Sequence, residues 1–174
     1  HDSLHFCISE RVHGETVRDQ YRRNDYSSFA IQFECIEALA SIKIPDEYMS
    51  YDEWEIGKAT RFSSFSEYVA NIYPGNELVD WEALQKIPFF NEEFISYLVE
   101  KIRVLSLYSE NIRELLHGDF GNDNLFIVDG KITGIIDWER SMFGDHLLDV
   151  GRMILFCPNR EESVRAALTF YEHK

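Results

Sequence analysis

Two short β-rich runs joined by Asp-Gly constrain the fold more than any other feature of the sequence. The run LFIV comes before Asp129-Gly130, and the run KITGII follows it. Asp-Gly accepts the positive φ angles of a two-residue hairpin turn, so the runs are predicted to pair as antiparallel strands. The ends of such strands lie side by side, and Asn124, just before the first strand, is therefore predicted to neighbour Asp137, just after the second.

The polar residues around this hairpin suit phosphate chemistry. Amide and carboxylate oxygens are hard ligands that favour Mg²⁺, and two such ligands leave room for water and for the phosphates of a nucleotide. Asp119, five residues before Asn124, is predicted to face the same place, where it could accept the proton of an attacking hydroxyl. His117 is expected to brace the loop. The order His-x-Asp-(x)₄-Asn, hairpin, Asp follows the catalytic and metal loops of protein kinases.

Helical patterns predominate outside the hairpin, so the predicted fold class is α+β and mostly helical. Residues 4–12 suit a strand, and residues 46–62 suit an irregular excursion. Ser64, Asn91 and Asn159 are predicted to cap helices. The predicted helical segments are Phe29 to Ala40 before Pro45, Phe65 to Ile72, the long helix after Asn91 with a buried stripe of Phe94, Ile95, Leu98, Ile102 and Leu105, Leu147 to Leu155 before Pro158, and the segment from Asn159 to the C-terminus.

The composition narrows the environment and the partners. Hydrophobic residues make up 45% of the 174 residues, which indicates a packed core. Lys and Arg total 17 against 31 Asp and Glu, and the net charge of −14 argues against nucleic acid or an anionic membrane as the main partner. Three widely spaced cysteines indicate neither a zinc site nor a disulfide framework. With no membrane-length apolar run and no secretory signal, the predicted location is cytoplasmic.

Residues 115–149 resemble the aminoglycoside phosphotransferase family of small-molecule kinases. HGDFGNDN is similar to the family's catalytic loop, GIIDWE to its metal-binding segment, and GDHLLDV to the acidic helix start that follows. FCISERVHGET is similar to the hinge between the two lobes. The residues of this hinge and of IDWERSMFGD are most similar to those of family members that act on hygromycin B. The resemblance implies the C-terminal lobe of the protein-kinase-like fold, with a central β-hairpin that carries the catalytic and metal loops.

The resemblance also implies roles for individual residues. Asp119 would be the catalytic base, Asn124 and Asp137 would bind Mg²⁺, and ATP or GTP would be the phosphate donor. Gly118 stands where protein kinases carry Arg, so regulation through a phosphorylated activation loop is not expected. The remaining expected positions are the hinge backbone of Cys7, Ile8 and Ser9 at the adenine edge, Ile136 or Ile127 on the adenine face or in ordinary strand core, and His117, Asp145 and Asp149 in support of the site.

The sequence lacks other parts that a kinase needs. It contains neither GxGxxG nor a Walker A motif, and ASIK at 40–43 ends a predicted helix before Pro45. The expected organisation is a hinge strand or linker over residues 1–13, from a missing N-terminal lobe, and a helical C-terminal lobe over residues 14–174 that also stops early. A parent protein is expected to transfer phosphate, whereas this chain alone is expected to be inactive or nearly so.

The acceptor is the least constrained part of the prediction. Residues 46–82 carry nine acidic positions against Lys58 and Arg61, which favours a cationic aminocyclitol or aminosugar, although a solvated acidic surface is the alternative. Three classes stay open: an antibiotic kinase that confers resistance, a metabolic kinase acting on choline, an amino alcohol or a sugar, and a non-catalytic nucleotide-binding domain. The candidate substrate contacts are Asp52, Trp54, Glu55 and Glu139.

Overall fold

The structure, a computed structural model, describes residues 10–45, 51, 62–70, 83, 86–87, 91–109 and 112–172. The chain divides into two compact units, each built from separate stretches of sequence. The first unit comprises His1–Cys35, Phe120–Asp137 and Val150–Lys174, and the second comprises Ile36–Asp119 and Trp138–Asp149. The chain thus passes between the units directly after Asp119 and directly after Asp137, so the predicted catalytic motif has residues in both.

The described residues are mostly helical, with two small sheets, which confirms the predicted α+β class. None of their helices is both long and apolar enough to span a bilayer. The α-helices are α1 (Val17–Arg22), α2 (Phe29–Ala40), α3 (Phe65–Ala70), α4 (Glu92–Ser106), α5 (Leu147–Phe156) and α6 (Arg160–Tyr171), with 3₁₀ turns at Leu107–Ser109 and Trp138–Arg140. The strands are β1 (Glu15–Thr16), β2 (Glu114–Leu116), β3 (Leu125–Val128), β4 (Lys131–Ile135) and β5 (Met142–Gly144).

The predicted hairpin forms the centre of the first unit. Strands β3 and β4 pair antiparallel from Leu125↔Ile135 to Val128↔Lys131, with a bulge after Phe126. The turn residues Asp129 and Gly130 have φ angles of 49° and 70°, as a two-residue turn of this hand requires. Strand β1 adds to the other edge of β3. The strand predicted over 4–12 lies largely outside the described residues, and residues 10–13 belong to no strand.

The predicted helix caps are observed at Ser64, Asn91 and Asn159. Asn91 Oδ1 accepts a hydrogen bond from Phe94 N at 2.9 Å, and Asn159 Oδ1 accepts one from Glu162 N at 3.3 Å. Ser64 Oγ accepts from Glu67 N at 3.1 Å. The return bond of this capping box goes one residue further back than expected, because the carboxylate of Glu67 accepts from Ser63 N at 2.8 Å.

The buried stripe predicted for α4 is right at Ile95 and Ile102 and wrong at Phe94, Leu98 and Leu105. Phe94 is 55% exposed and Leu105 is 61% exposed, whereas Val99 is buried. The inner face instead follows Ile95, Val99, Ile102 and Ser106, which repeat at the helical spacing of four, three and four residues. Apolar residues surround much of this helix, so periodicity alone placed the inner face about one residue from where α4 packs against α3.

Each unit has its own apolar core. In the first, aromatic rings contact one another in series from Tyr21 through Phe29 and Phe33 to Phe170, with ring centroids 5.2 to 6.5 Å apart. Gln32 donates to the Tyr21 hydroxyl at 3.2 Å, and burial raises the pKa of that phenol. In the second, Phe65, Leu116 and Met142 form the buried cluster.

Candidate functional site

One end of the hairpin brings Asn124 and Asp137 together within the first unit. Ile136 N donates to the Asn124 carbonyl at 3.0 Å, so Asn124 pairs with the residue directly before Asp137. Asn124 is half-buried and Asp137 is exposed, so neither is sealed inside the unit. Asp137 has a φ of 66°, in the left-handed region that a non-glycine residue adopts only at a cost. The backbone of Asn124 therefore lies beside the segment that leads into Asp137, and a shared metal site of their side chains stays a prediction.

The loop of His117, Gly118 and Asp119 is fixed by a buried carboxylate in the second unit. Asp149 Oδ2 accepts from His117 N at 2.7 Å, and Asp149 Oδ1 accepts from Gly118 N at 3.0 Å. Asp119 N donates to His117 Nδ1 at 3.3 Å. The imidazole of His117 is fully buried, and its ring lies 4.7 Å from that of Trp138. These contacts hold the backbone on both sides of Gly118, while the half-buried Asp119 lies at the end of the braced segment.

Gly118 is the residue that this loop geometry demands. Its φ is +75°, and a Cβ added to it would lie 1.8 Å from the carbonyl oxygen of Arg140. No side chain fits there without moving the backbone. Protein kinases carry Arg at this position, and the close approach of the Arg140 carbonyl is the physical reason for glycine in this chain.

Asp145 is buried at the start of α5. Its Oδ1 accepts from Leu147 N at 2.9 Å, and its Oδ2 accepts from the hydroxyl of Ser109 at 2.5 Å. The carboxylate therefore satisfies a free amide in the first turn of α5 and ties that helix to the 3₁₀ turn after α4. Because α5 also carries Asp149, the same helix start supports the braced loop.

A histidine held between two carboxylates was not predicted from the sequence. His146 Nδ1 lies 2.6 Å from Glu114 Oε2, and His146 Nε2 lies 3.0 Å from Glu37 Oε1. Donor atoms of Glu114, Asp145 and His146 all lie within 4.8 Å of one another, a spacing compatible with metal ligands, although Asp145 is already engaged at the helix start. These residues belong to three different parts of the chain and match no motif, so no local signal could have joined them.

A cavity of about 430 Å³ lies within the second unit and shares Trp138 with the His117 contact. The walls that the structure describes are mostly apolar, and none of these described lining residues is acidic. The lining residues are Ile42, Lys43, Ile44, Pro45, Leu115, Trp138, Ser141 and Phe143.

The other predicted site residues divide between exposed, buried and undescribed positions. Ile136 is 38% exposed and Glu139 is exposed, whereas Ile127 is only 3% exposed and packs in the core of the sheet. The remaining predicted positions lie outside the described residues, namely Cys7, Ile8 and Ser9 of the predicted hinge, and Asp52, Trp54 and Glu55 of the predicted acceptor pocket.

Comparison with known proteins places this geometry in context. The model of a family described as "Phosphotransferase enzyme family" matches residues 1–173. Hygromycin-B 4-O-kinase of Escherichia coli is 25% identical over 162 residues, which cover 90% of this chain and 45% of that protein.

Solved structures show the same fold. A crystal structure of a thermostable mutant of aminoglycoside phosphotransferase APH(4)-Ia, in ternary complex with ADP and hygromycin B, matches with a TM-score of 0.71 at 19% identity, covering 95% of this chain and 56% of that one. ADP-bound APH(2'')-Ib matches with a TM-score of 0.52 at 17% identity, covering 95% of this chain and 55% of that one. The chain spans about half the length of these relatives.

Proposed function

The chain belongs to the phosphotransferase enzyme family, and on that premise we propose that it forms part of a kinase that phosphorylates an aminoglycoside-type antibiotic. The terminal phosphate of a nucleoside triphosphate would pass to a hydroxyl of the antibiotic. The observation that carries the proposal is the hairpin end, where Asn124 pairs with the residue directly before Asp137, five residues after a braced loop that ends in Asp119. The match to hygromycin-B 4-O-kinase supports the substrate class.

The hairpin end fits a magnesium ion. Asn124 and Asp137 offer one amide oxygen and one carboxylate, the hard oxygen donors that Mg²⁺ prefers, at adjacent and accessible positions. When bound there, the ion would neutralise charge on the phosphates of the nucleotide. The chain's own contribution is to hold the two donors in place, which the strand pairing and the turn at Asp129-Gly130 achieve.

Asp119 is proposed as the base. Its carboxylate would accept the proton of the acceptor hydroxyl as that oxygen bonds to the terminal phosphorus, while the bond to the bridging oxygen breaks and the nucleoside diphosphate leaves. Asp119 belongs to the second unit and Asn124 to the first, so their joint action rests on the five-residue spacing of the motif. The backbone of the loop is held by Asp149 and His117, which act as positioning residues.

The solved structures of the APH(4)-Ia relative support this spacing. These structures include alanine variants of one aspartate and of two asparagines, which follow the aspartate by four and five positions. In this chain Asp123 and Asn124 follow Asp119 at the same intervals. Asn124 thus keeps the residue type at the proposed ligand position, whereas Asp123 differs and forms an ion pair with Arg18 at 2.8 Å.

A second candidate function is favoured by the apolar cavity. Its aromatic walls, Trp138 and Phe143, suit the apolar face of a sugar or a quaternary ammonium such as choline. This observation supports a metabolic kinase with the same phosphate chemistry. The two candidates differ only in the acceptor.

The test is nucleotide turnover by a full-length protein that carries this sequence. ADP release is measured with hygromycin B, choline and a neutral sugar as acceptors. We expect hygromycin B to stimulate release, and Asp119→Asn to reduce the stimulated rate at least about a thousandfold, the scale associated with losing a general base and its alignment.

Asp129→Asn is the matched control, because it removes one carboxylate at the opposite end of the hairpin and keeps the turn. It should leave the rate unchanged. If choline or the sugar stimulates ADP release and hygromycin B does not, the protein is a metabolic kinase. An unchanged rate in Asp119→Asn would refute the phosphotransfer mechanism.

A further inference from the structure

The start of α5 contacts the segment before Asp119 at two points, and the proposed function uses only one of them. At that point Asp149 accepts two backbone amides of the loop. At the other, His146, directly before α5, contacts Glu114 at the start of β2. We propose that His146 is a positioning residue, which fixes the place of Asp119 by holding the start of β2 against the start of α5. This inference rests on the proposed function and deepens it.

Both the backbone and the side chain of His146 contact Glu114. The backbone N of His146 donates to Glu114 Oε2 at 3.2 Å, and Nδ1 of its ring lies 2.6 Å from the same oxygen. Two contacts with one carboxylate oxygen restrain that oxygen more than a single contact would. The two side chains are only 19% and 30% exposed, so water competes for these contacts less than it does at an exposed ion pair.

A second carboxylate holds the other side of the imidazole ring. His146 Nε2 lies 3.0 Å from Oε1 of Glu37, which belongs to α2. The ring therefore lies between carboxylates from two different elements, and it cannot change rotamer without losing contacts with both. Helix α2 thus fixes the orientation in which the ring meets β2.

Two anchors near the start of α5 restrain the short segment that leads to Asp119. Strand β2 has three residues and the braced loop follows it at once, so Glu114 and Gly118 are four residues apart. His146 and Asp149 are three residues apart, about one helical turn, and Asp149 N donates to the His146 carbonyl at 3.0 Å. A shift of Glu114 would therefore move β2 relative to the carboxylate that braces the loop.

The sheet that carries this segment is too small to hold it alone. Strands β2 and β5 have three residues each, and no third strand pairs with them among the described residues. A two-stranded sheet is only marginally stable by itself in water. Glu114 pairs with Gly144 at one end of this sheet, and the chain reaches His146 two residues later. The contact of His146 with Glu114 therefore closes the end of a weak sheet, and the other end of β2 leads to the proposed base.

The distances favour a positioning contact over a metal site at this cluster. Ligands about 2 Å from a tetrahedral ion lie about 3.3 Å apart, whereas His146 Nδ1 and Glu114 Oε2 are 2.6 Å apart, which is a hydrogen-bond distance. The nearby Asp145 already accepts hydrogen bonds at both carboxylate oxygens, from Leu147 N and from the Ser109 hydroxyl.

The test combines amide hydrogen exchange with kinetics in a full-length protein that carries this sequence. His146→Ala should speed exchange of the two amides bound to Asp149 at least about tenfold, while exchange of the Ile136 amide, in the first unit, changes less than about twofold. For ADP release stimulated by hygromycin B, it should lower kcat at least about tenfold and change KM for the nucleotide less than about twofold. Misplacing a base slows the chemical step rather than binding.

Two variants serve as controls. His146→Asn keeps an amide N–H near the place of Nδ1, where it can still donate to Glu114, so it should restore most of the amide protection and of kcat. Arg165→Ala breaks the exposed ion pair with Glu161 at 2.8 Å on α6, and it should change neither measurement.

Several results would overturn the proposal. Loop exchange in His146→Ala that is unchanged, or raised equally at Ile136, would leave no specific link to the loop. An unchanged kcat would separate the ring from Asp119, and equal losses in the alanine and asparagine variants would exclude the contact with Glu114. A rise in unfolding temperature with Zn²⁺ that His146→Ala abolishes would make the cluster a metal site.

Failure of this inference is distinguishable from failure of the proposed function. Amide exchange requires no turnover, so it tests the link between His146 and the loop even if no acceptor stimulates ADP release. Unchanged turnover in Asp119→Asn would instead refute the phosphotransfer mechanism.

Discussion

The residues that shape the catalytic loop act through the backbone. The carboxylate of Asp149 accepts hydrogen bonds from two successive backbone amides, those of His117 and Gly118. It therefore fixes the direction of the chain directly before Asp119. Hydrogen bonds to an ionised carboxylate are shorter and stronger than those between neutral groups, and burial prevents water from replacing them. The orientation of the proposed base is therefore set by a side chain 30 residues further along the sequence.

Gly118 offers the sharpest test at the residue scale. Gly118→Ala should destabilise the fold by about 3 kcal/mol or more, because an L-residue at positive φ costs about 1 to 2 kcal/mol and the Cβ also meets the backbone of Arg140. Gly130→Ala is the control: its φ is also positive, but its Cβ would meet nothing within 4 Å. Urea unfolding of both variants measures the difference, and equal losses would show that the contact with Arg140 is unimportant.

Local chemistry made individual elements predictable. The hairpin follows from Asp129-Gly130, and the helix starts follow from Ser64, Asn91 and Asn159, because each signal involves residues close in sequence. The buried face of α4 could not be predicted in the same way. Apolar residues surround the helix, so contact with α3 decides which of them are buried. Strand β1 was also missed, because two residues are too short to show alternation.

The start of α3 should show a pH-dependent stability. Hydrogen bonds from Ser63 hold the pKa of Glu67 below its ordinary value of 4.5. A folded-state pKa below the unfolded-state value means that the unfolded chain binds more protons in acid, so the stabilisation is present above pH 4.5 and is lost as the pH falls through the folded-state pKa.

Glu67→Gln, which cannot ionise, isolates this contribution. Its unfolding free energy should fall below that of the unmodified chain near neutral pH, and the gap should close at about pH 2. Urea unfolding at the two pH values measures it. A gap of the same size at both would mean that the charge of Glu67 contributes nothing to the helix start.

At the scale of the whole molecule, the family and fold class could be predicted because the catalytic loop, hairpin and following helix preserve their order and spacing. The triad of Glu37, Glu114 and His146 could not, since its members meet only after the second unit has folded. The predicted hinge and acceptor contacts stay predictions, because Cys7 to Ser9 and Asp52 to Glu55 lie outside the described residues.

The 174-residue chain alone should release ADP at a rate little above background. Its sequence holds no glycine-rich phosphate loop, and positioning supplies most of the catalysis in phosphoryl transfer. The measurement is ATP-dependent phosphorylation of hygromycin B by the purified chain, with Asp119→Asn as the blank. Robust turnover above that blank would show that these residues suffice.

The positive φ angle of Asp137 lowers the stability of the fold at the position whose carboxylate is proposed to bind the metal ion. Glycine would relieve the cost of a positive φ there, but it would also delete the carboxylate that the reaction is proposed to need. Selecting variants of this chain for heat resistance alone would therefore favour loss of the very side chain on which its activity is proposed to depend.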